Sequence, residues 1–307
     1  MNRTLPKHKI SGFTLMELVL VIVLTGIMSG ISIKFVSGAV DHLLDVTRRA
    51  QLVDVATLSL RMMSEELRLA LPNSVRIGCA NQCLEFLLIK NSGNYRATAI
   101  GGNDDALDIG LSDNRFDVIG ALFDADQITF GNNATDCQNG LADCLYVNNA
   151  GNPYVASNLV TLTGCTNHLN QVSPFYCSQP NAINGSFPST PIQLLFSNKV
   201  FPTASVTQSF YVVDTAIQYR CTPNTVTPQS GILQRYSNYP ITQTMATVLP
   251  PANSQVVLFA EYITACTFSV TAGAGANLGL VTLELTVSNS NGDSIKQLQQ
   301  VRVVNQP

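Results

Sequence analysis

Residues 10–35 read "ISGFTLMELVLVIVLTGIMSGISIKF", and the run inside them decides how the chain is built. From Phe13 to Ile33 every residue is apolar or small and uncharged, with the single exception of Glu17. Such a run is long enough to cross a hydrocarbon core of roughly 30 Å as a helix. The basic residues ahead of it, Arg3, Lys7 and Lys9, predict a cytoplasmic N-terminus and export of everything beyond the crossing. In a secretory signal the cleavage site follows the apolar region, which is therefore lost. Here the basic leader stops at Gly12, and a cut after Gly12 would discard the charge and keep the apolar segment. A carboxylate in lipid costs on the order of 2.5–3.5 kcal/mol, less near a helix end, so Glu17 calls for a partner. The plainer alternative is a glutamate that snorkels to the interface.

Composition narrows the function classes. Charged residues make up 12% of the chain, about half the share usual in soluble domains, so Ser, Thr, Asn and Gln must supply much of the polar surface. The net charge is −3, and removal of the leader's three basic residues leaves 14 against 20, a net of −6. No Lys/Arg-dense face is available to displace counterions, which argues against nucleic acid as a partner. The eight cysteines all lie at or beyond Cys79, on the exported side, and their even number fits disulfides formed in an oxidising compartment.

Helical periodicity continues past the apolar run. From Leu52, the residues Ala56, Met63, Leu67 and Ala70 fall within about 60° of one direction at 100° per residue. Asp54, Thr57, Arg61, Glu65 and Arg68 take the other side, with Arg61 and Glu65 spaced i,i+4 for pairing. Pro72 stops the helix, because it lacks a donor and disfavours helical geometry at Leu71. Beyond it come short strand signals: "CLEFLLI", "QITF", "LVTLTG", "PIQLLF", the pair "SFYVVD" and "TAIQYRC", and "GILQRY". Near the end "VTLELTVS" alternates without a break, with Val281, Leu283, Leu285 and Val287 on one face. "NSNGD" then offers a turn, and "SIKQLQQVRVV" reads as a return strand whose phase slips as at a bulge. The expected fold is α+β, a long N-terminal helix and an antiparallel β-rich, disulfide-containing head. Its expected divisions are a leader at 1–12, a transmembrane helix at 13–35, an amphipathic continuation at 36–71 and a head, whole or in two subdomains, at 72–307.

Four further signals carry two readings each. Gly26 and Gly30 form a GxxxG that lets helices approach closely, or are simply flexible points. Nearest-neighbour pairing of the cysteines gives Cys79–Cys83, Cys137–Cys144, Cys165–Cys177 and Cys221–Cys266, one of 105 connectivities; a zinc site is the rival, without a nearby His to support it. Asp104, Asp105, Asp108, Asp113 and Asp117 could furnish oxygens for calcium, although the spacing fits no EF-hand loop and a solvated acidic loop is the alternative. The Asn- and Gly-rich middle, with Phe175, Tyr176 and Phe187, would be the place for an adhesive ligand site. Catalysis finds no footing: beyond the leader only His42 and His168 remain, and neither G-x-S-x-G nor G-x-x-x-x-G-K-[ST] occurs. No catalytic residue, cofactor or metal is assigned, and the chain reads as a non-enzyme.

A short basic leader ending in Gly12, then Phe13-Thr14-Leu15-Met16-Glu17-Leu18 and an unbroken apolar helix, resembles the processing site of type IV prepilins. The resemblance implies that a membrane-embedded prepilin peptidase cuts between Gly12 and Phe13 and methylates the new amine on Phe13. It implies too that Glu17 pairs with the N-terminal amine of a neighbouring subunit as helices pack into a filament. Downstream, residues 48–77 and 209–287 are similar to the O-type minor pilins of mannose-sensitive haemagglutinin (MSHA) pili, relatives of the J-type minor pseudopilins of type II secretion. What this family implies is a subunit of a bacterial inner membrane, crossing once, its head periplasmic and later near the tip of a pilus. Its partners would be major and minor pilins, the prepilin peptidase and an inner-membrane assembly platform. A pseudopilin of type II secretion, or an adhesive tip subunit, is the alternative.

Overall fold

The computed structural model describes residues 14–100, 104–120, 122, 127–147, 151–166, 192–245, 254–272 and 278–304. The chain forms two compact units, Met1–Gln51 and Leu52–Pro307. A single helix, α1 (Leu15–Arg68), begins in the first and ends in the second. It ends three residues earlier than Pro72 alone required. The chain tightens after Arg68, with the Leu69 and Ala70 N–H groups donating to the Glu66 and Leu67 carbonyls, and Ala70 then bridges to Leu88.

The strands of the second unit are β1 (Arg76–Gly78), β2 (Cys83–Tyr95), β3 (Ser112–Ile119), β4 (Cys144–Val147), β5 (Val160–Thr166) and β6 (Ile192–Val200). They continue with β7 (Ser209–Thr222), β8 (Ile232–Ser237), β9 (Gln255–Glu261), β10 (Ile263–Ala272), β11 (Leu278–Ser288) and β12 (Ser294–Val304). The fold is α+β, and every strand pairing in its sheets is antiparallel. "SFYVVD" and "TAIQYRC" are one strand rather than two. One edge of β7 runs along β2, while the other serves β4 at Phe210–Val213 and then β8 at Gln218–Thr222. "QITF" is not a strand; Thr129 and Asp143 instead join backbone to backbone and backbone to carboxylate.

These pairings close a ring: β2 to β3, β6, β5, β4 and β7, and back to β2. A closed ring leaves none of its members with a bare edge. Tyr95, Phe116, Val118, Leu145, Leu162, Leu194 and Phe210 fill it. The aromatic rings of Tyr95, Phe196 and Phe210 each lie within 6 Å of Phe116, centre to centre.

A second core forms where β2 and β7 run on beyond the ring. Leu52, Ala56, Leu60, Met63 and Leu67 of α1 pack there with Leu84, Phe86, Ile217 and Tyr219, and with the inner face of the β10–β11–β12 sheet. Val281, Leu283, Leu285 and Val287 are fully buried in it, as their alternation demands, each contributing about 1.5–3 kcal/mol over exposure. The β11–β12 ladder is unbroken from Leu278↔Val304 to Ser288↔Ser294, so no bulge exists there. The phase of β12 slips for another reason. Leu298 is exposed, while Gln297 shares the inward side and accepts a hydrogen bond from Thr57 of α1 at 3.0 Å. A third core gathers Leu71, Leu87, Tyr146, Tyr154, Tyr236 and Tyr239.

Glu66 fixes α1 to the sheet beside this packing. It accepts from the Tyr219 hydroxyl at 2.7 Å and from Arg235 Nε at 3.0 Å. The turn between β1 and β2 is of a different kind. Cys79, Ala80 and Asn81 all have positive φ, at 51°, 53° and 70°, which makes a left-handed turn without a glycine, at about 1–2 kcal/mol per residue.

Candidate functional site

Thr14 starts α1. The Glu17 N–H donates to Thr14 Oγ1 at 3.3 Å and to the Thr14 carbonyl at 3.1 Å. This puts the Glu17 carboxylate in the first turn, at the positive end of the helix dipole. The side chains from Leu15 to Val36 are exposed on every side of the helix. Two of its hydroxyls do not need water. Thr25 donates to the Val21 carbonyl at 2.7 Å and Ser32 to the Met28 carbonyl at 2.8 Å, so these two hydroxyls are satisfied within the helix, as hydrocarbon requires. Among the described residues, nothing lies within 4 Å of where a side chain would start at Gly26 and Gly30. By length and composition the helix can cross a membrane. Gly12 and Phe13 lie outside the described residues.

The head holds three disulfides among nearest neighbours, Cys79–Cys83, Cys137–Cys144 and Cys221–Cys266. Cys165 is disulfide-bonded as well, while Cys177, its expected partner, lies outside the described residues. Phe175, Tyr176 and Phe187 also lie outside them. The CxxxC is thus a covalent loop rather than a metal clip. The acidic run is not gathered for calcium either. Arg96 pairs with Asp104 and Asp117 at 3.3 and 3.1 Å, Arg115 with Asp105 at 2.8 Å, and Asp113 accepts from the Asp108, Asn114 and Arg115 N–H groups. No group of three or more His, Cys, Asp or Glu side chains among the described residues could hold a metal.

Two charged clusters in the head escape a reading by motif. In the first, Arg76 lies 3.6 Å over the Tyr154 ring, donates from Nε to the buried Glu85 at 2.9 Å, and reaches the Gln243 and Thr242 carbonyls at 2.7 and 3.0 Å. Burial pushes the Glu85 carboxyl up, and Arg76 opposes the shift. Asn73, Gly151, Asn152 and Gln243 join Arg76 and Tyr154 around a cleft of about 390 Å³. With its guanidinium committed, Arg76 acts as a clasp between hairpin and loops. One signal for it was legible: a hairpin closed at 78–83 sets residue 76 opposite residue 85. In the second cluster Lys90 stands 3.1 Å from Asp143 and 3.5 Å from Asp214. Asp143 also accepts from the Thr129 N–H at 2.8 Å, and burial raises its carboxyl to about 6. No spacing rule joins residues 90, 129, 143 and 214.

A long apolar N-terminal helix followed by a disulfide-pinned antiparallel head is a pilin-like architecture. Compared with protein-family models, with curated proteins and with solved structures, the chain matches none.

Proposed function

We propose that the chain is a minor pilin that takes part in initiating, priming or capping a type IV, MSHA-like pilus. Its apolar helix would be held in the inner membrane before assembly and in the filament core afterwards. The observation that carries the reading is the first stretch of α1, residues 15–36, exposed and apolar on every side with a single carboxylate, Glu17, in its first turn. Such a surface is favoured in lipid or against other helices, and such a carboxylate is favoured beside a cation. In this reading the cation is the amine of a neighbouring subunit, exposed by cleavage at Gly12–Phe13. Major and minor pilins, the peptidase and the assembly platform are the partners it requires.

Glu17→Leu tests the reading. It removes a costly charge, so insertion into the membrane should be as good as wild type or better. Co-purification of other pilins from detergent extracts should nonetheless fall sharply. Equal recovery of partners from wild type and variant would remove the recruiting role.

A further inference from the structure

We propose that Cys79–Cys83 is a thiol–disulfide exchange site, opened selectively by a small dithiol or by the thiolate of a dithiol oxidoreductase. The loop it closes is the left-handed turn at Cys79, Ala80 and Asn81, with φ of 51°, 53° and 70° and no glycine among them. An L-residue keeps that conformation only when its surroundings enforce it. The disulfide is the covalent part of that restraint, beside the Gly78↔Cys83 pairing and the Gln82 N–H donated to the Cys79 carbonyl. In this proposal cutting it lowers the cost of leaving the turn. Strained bridges of this kind are the labile ones in a protein.

The surroundings set the direction of attack. Cys83 is fully buried, whereas Cys79 is partly exposed and Ala80 and Asn81 are exposed. An incoming thiolate therefore reaches Cys79 Sγ. It forms a mixed disulfide there and expels Cys83 as the thiolate. Cys83 stands opposite Arg220 in the β2–β7 ladder, and cross-strand neighbours share a face, so the leaving sulfur departs beside a guanidinium, which favours the thiolate. The second thiol of the reductant then attacks the mixed disulfide, leaving Cys79 as a thiol and the reductant as its own disulfide. Two electrons and two protons pass from the dithiol to the protein. The other described bridges are better protected: Cys137 and Cys144 are fully buried, and Cys221 and Cys266 nearly so. What opening would loosen is the end of β1, whose three residues pair with β2 among the described residues and carry Arg76 into the cleft.

The full chain in detergent, equilibrated against a series of oxidised and reduced dithiothreitol and then alkylated, gives the order of opening by peptide mass spectrometry. Cys79 and Cys83 should be modified at a lower reductant ratio than Cys137, Cys144, Cys221 and Cys266. Ala80→Gly relieves the turn and should raise the ratio needed at Cys79–Cys83 by about fivefold. Ala80→Val, branched where the backbone is left-handed, should lower it. Joint opening of all bridges would overturn the proposal, as would a midpoint at Cys79–Cys83 that neither substitution moves.

Discussion

Asp143 shows how far one side chain can depart from its usual chemistry. Its carboxyl is raised to about 6 because burial disfavours the charge more than Lys90 and the Thr129 N–H favour it. In the unfolded chain the same group titrates near the ordinary aspartate value of about 3.9. Between those two values the folded head holds a proton that the unfolded chain has released, so stability falls as pH rises. The contribution is complete below about pH 4 and gone above the folded value. The gap corresponds to roughly 2–3 kcal/mol at most. Denaturant midpoints of the full chain in detergent should therefore be higher at pH 4.5 than at pH 7.5, with Asp143→Asn flattening the difference. An unchanged difference in the variant would assign the pH dependence to other groups. Glu17 makes the opposite point, since it stands out at once because nothing else in its run is charged. Lys90, Asp143 and Asp214 were not, because only the closed ring of strands brings them together.

At the scale of elements, the legible parts were those whose pattern repeats. The alternation of β11 specified its buried face, and the apolar stripe at Ala56, Met63 and Leu67 specified the packed face of α1. No strand is expected from sequence at β9, whose apolar residues run on without alternation, or at β10, where Thr and Ser break the apolar pattern, and β7 is divided where Asp214 and Thr215 interrupt its apolar pattern. The phase slip of β12 misled because a glutamine that bonds Thr57 counts as outward in any hydropathy pattern. Nearest-neighbour pairing gives Cys221–Cys266, and that bond makes the joint between the two sheets covalent. It ties β7 to β10 across 45 residues of chain. In the chain-entropy account a loop of that length limits the unfolded state by about 4 kcal/mol, against about 2 for the four-residue separation at Cys79–Cys83. Replacing both Cys221 and Cys266 by Ser should thus lower the thermal midpoint of the head more than the same change at Cys79 and Cys83. Equal shifts would show that strain or residual structure, rather than loop length, governs these bridges.

For the molecule as a whole, the apolar helix and the bulk of the head act in opposite directions. The helix suits close packing with many copies, but 236 residues follow Leu71, and a head of that size repeated at every step of a filament would crowd its neighbours. In the proposed reading the subunit is therefore rare. Quantitative mass spectrometry of sheared filaments should find it far below the main subunit, and comparable abundance would overturn the assignment. The core shared by α1 and the last sheet has a consequence in time as well as space. Synthesis runs from the N-terminus, so Leu52 to Leu67 are made long before Val281 to Val303, against which they pack. Through most of its production the chain carries a helix whose permanent cover has not yet been made. A premature stop that removed only the last strand would strip Val301 and Val303 from that cover and leave the first-made residues of the head waiting for a partner that never arrives.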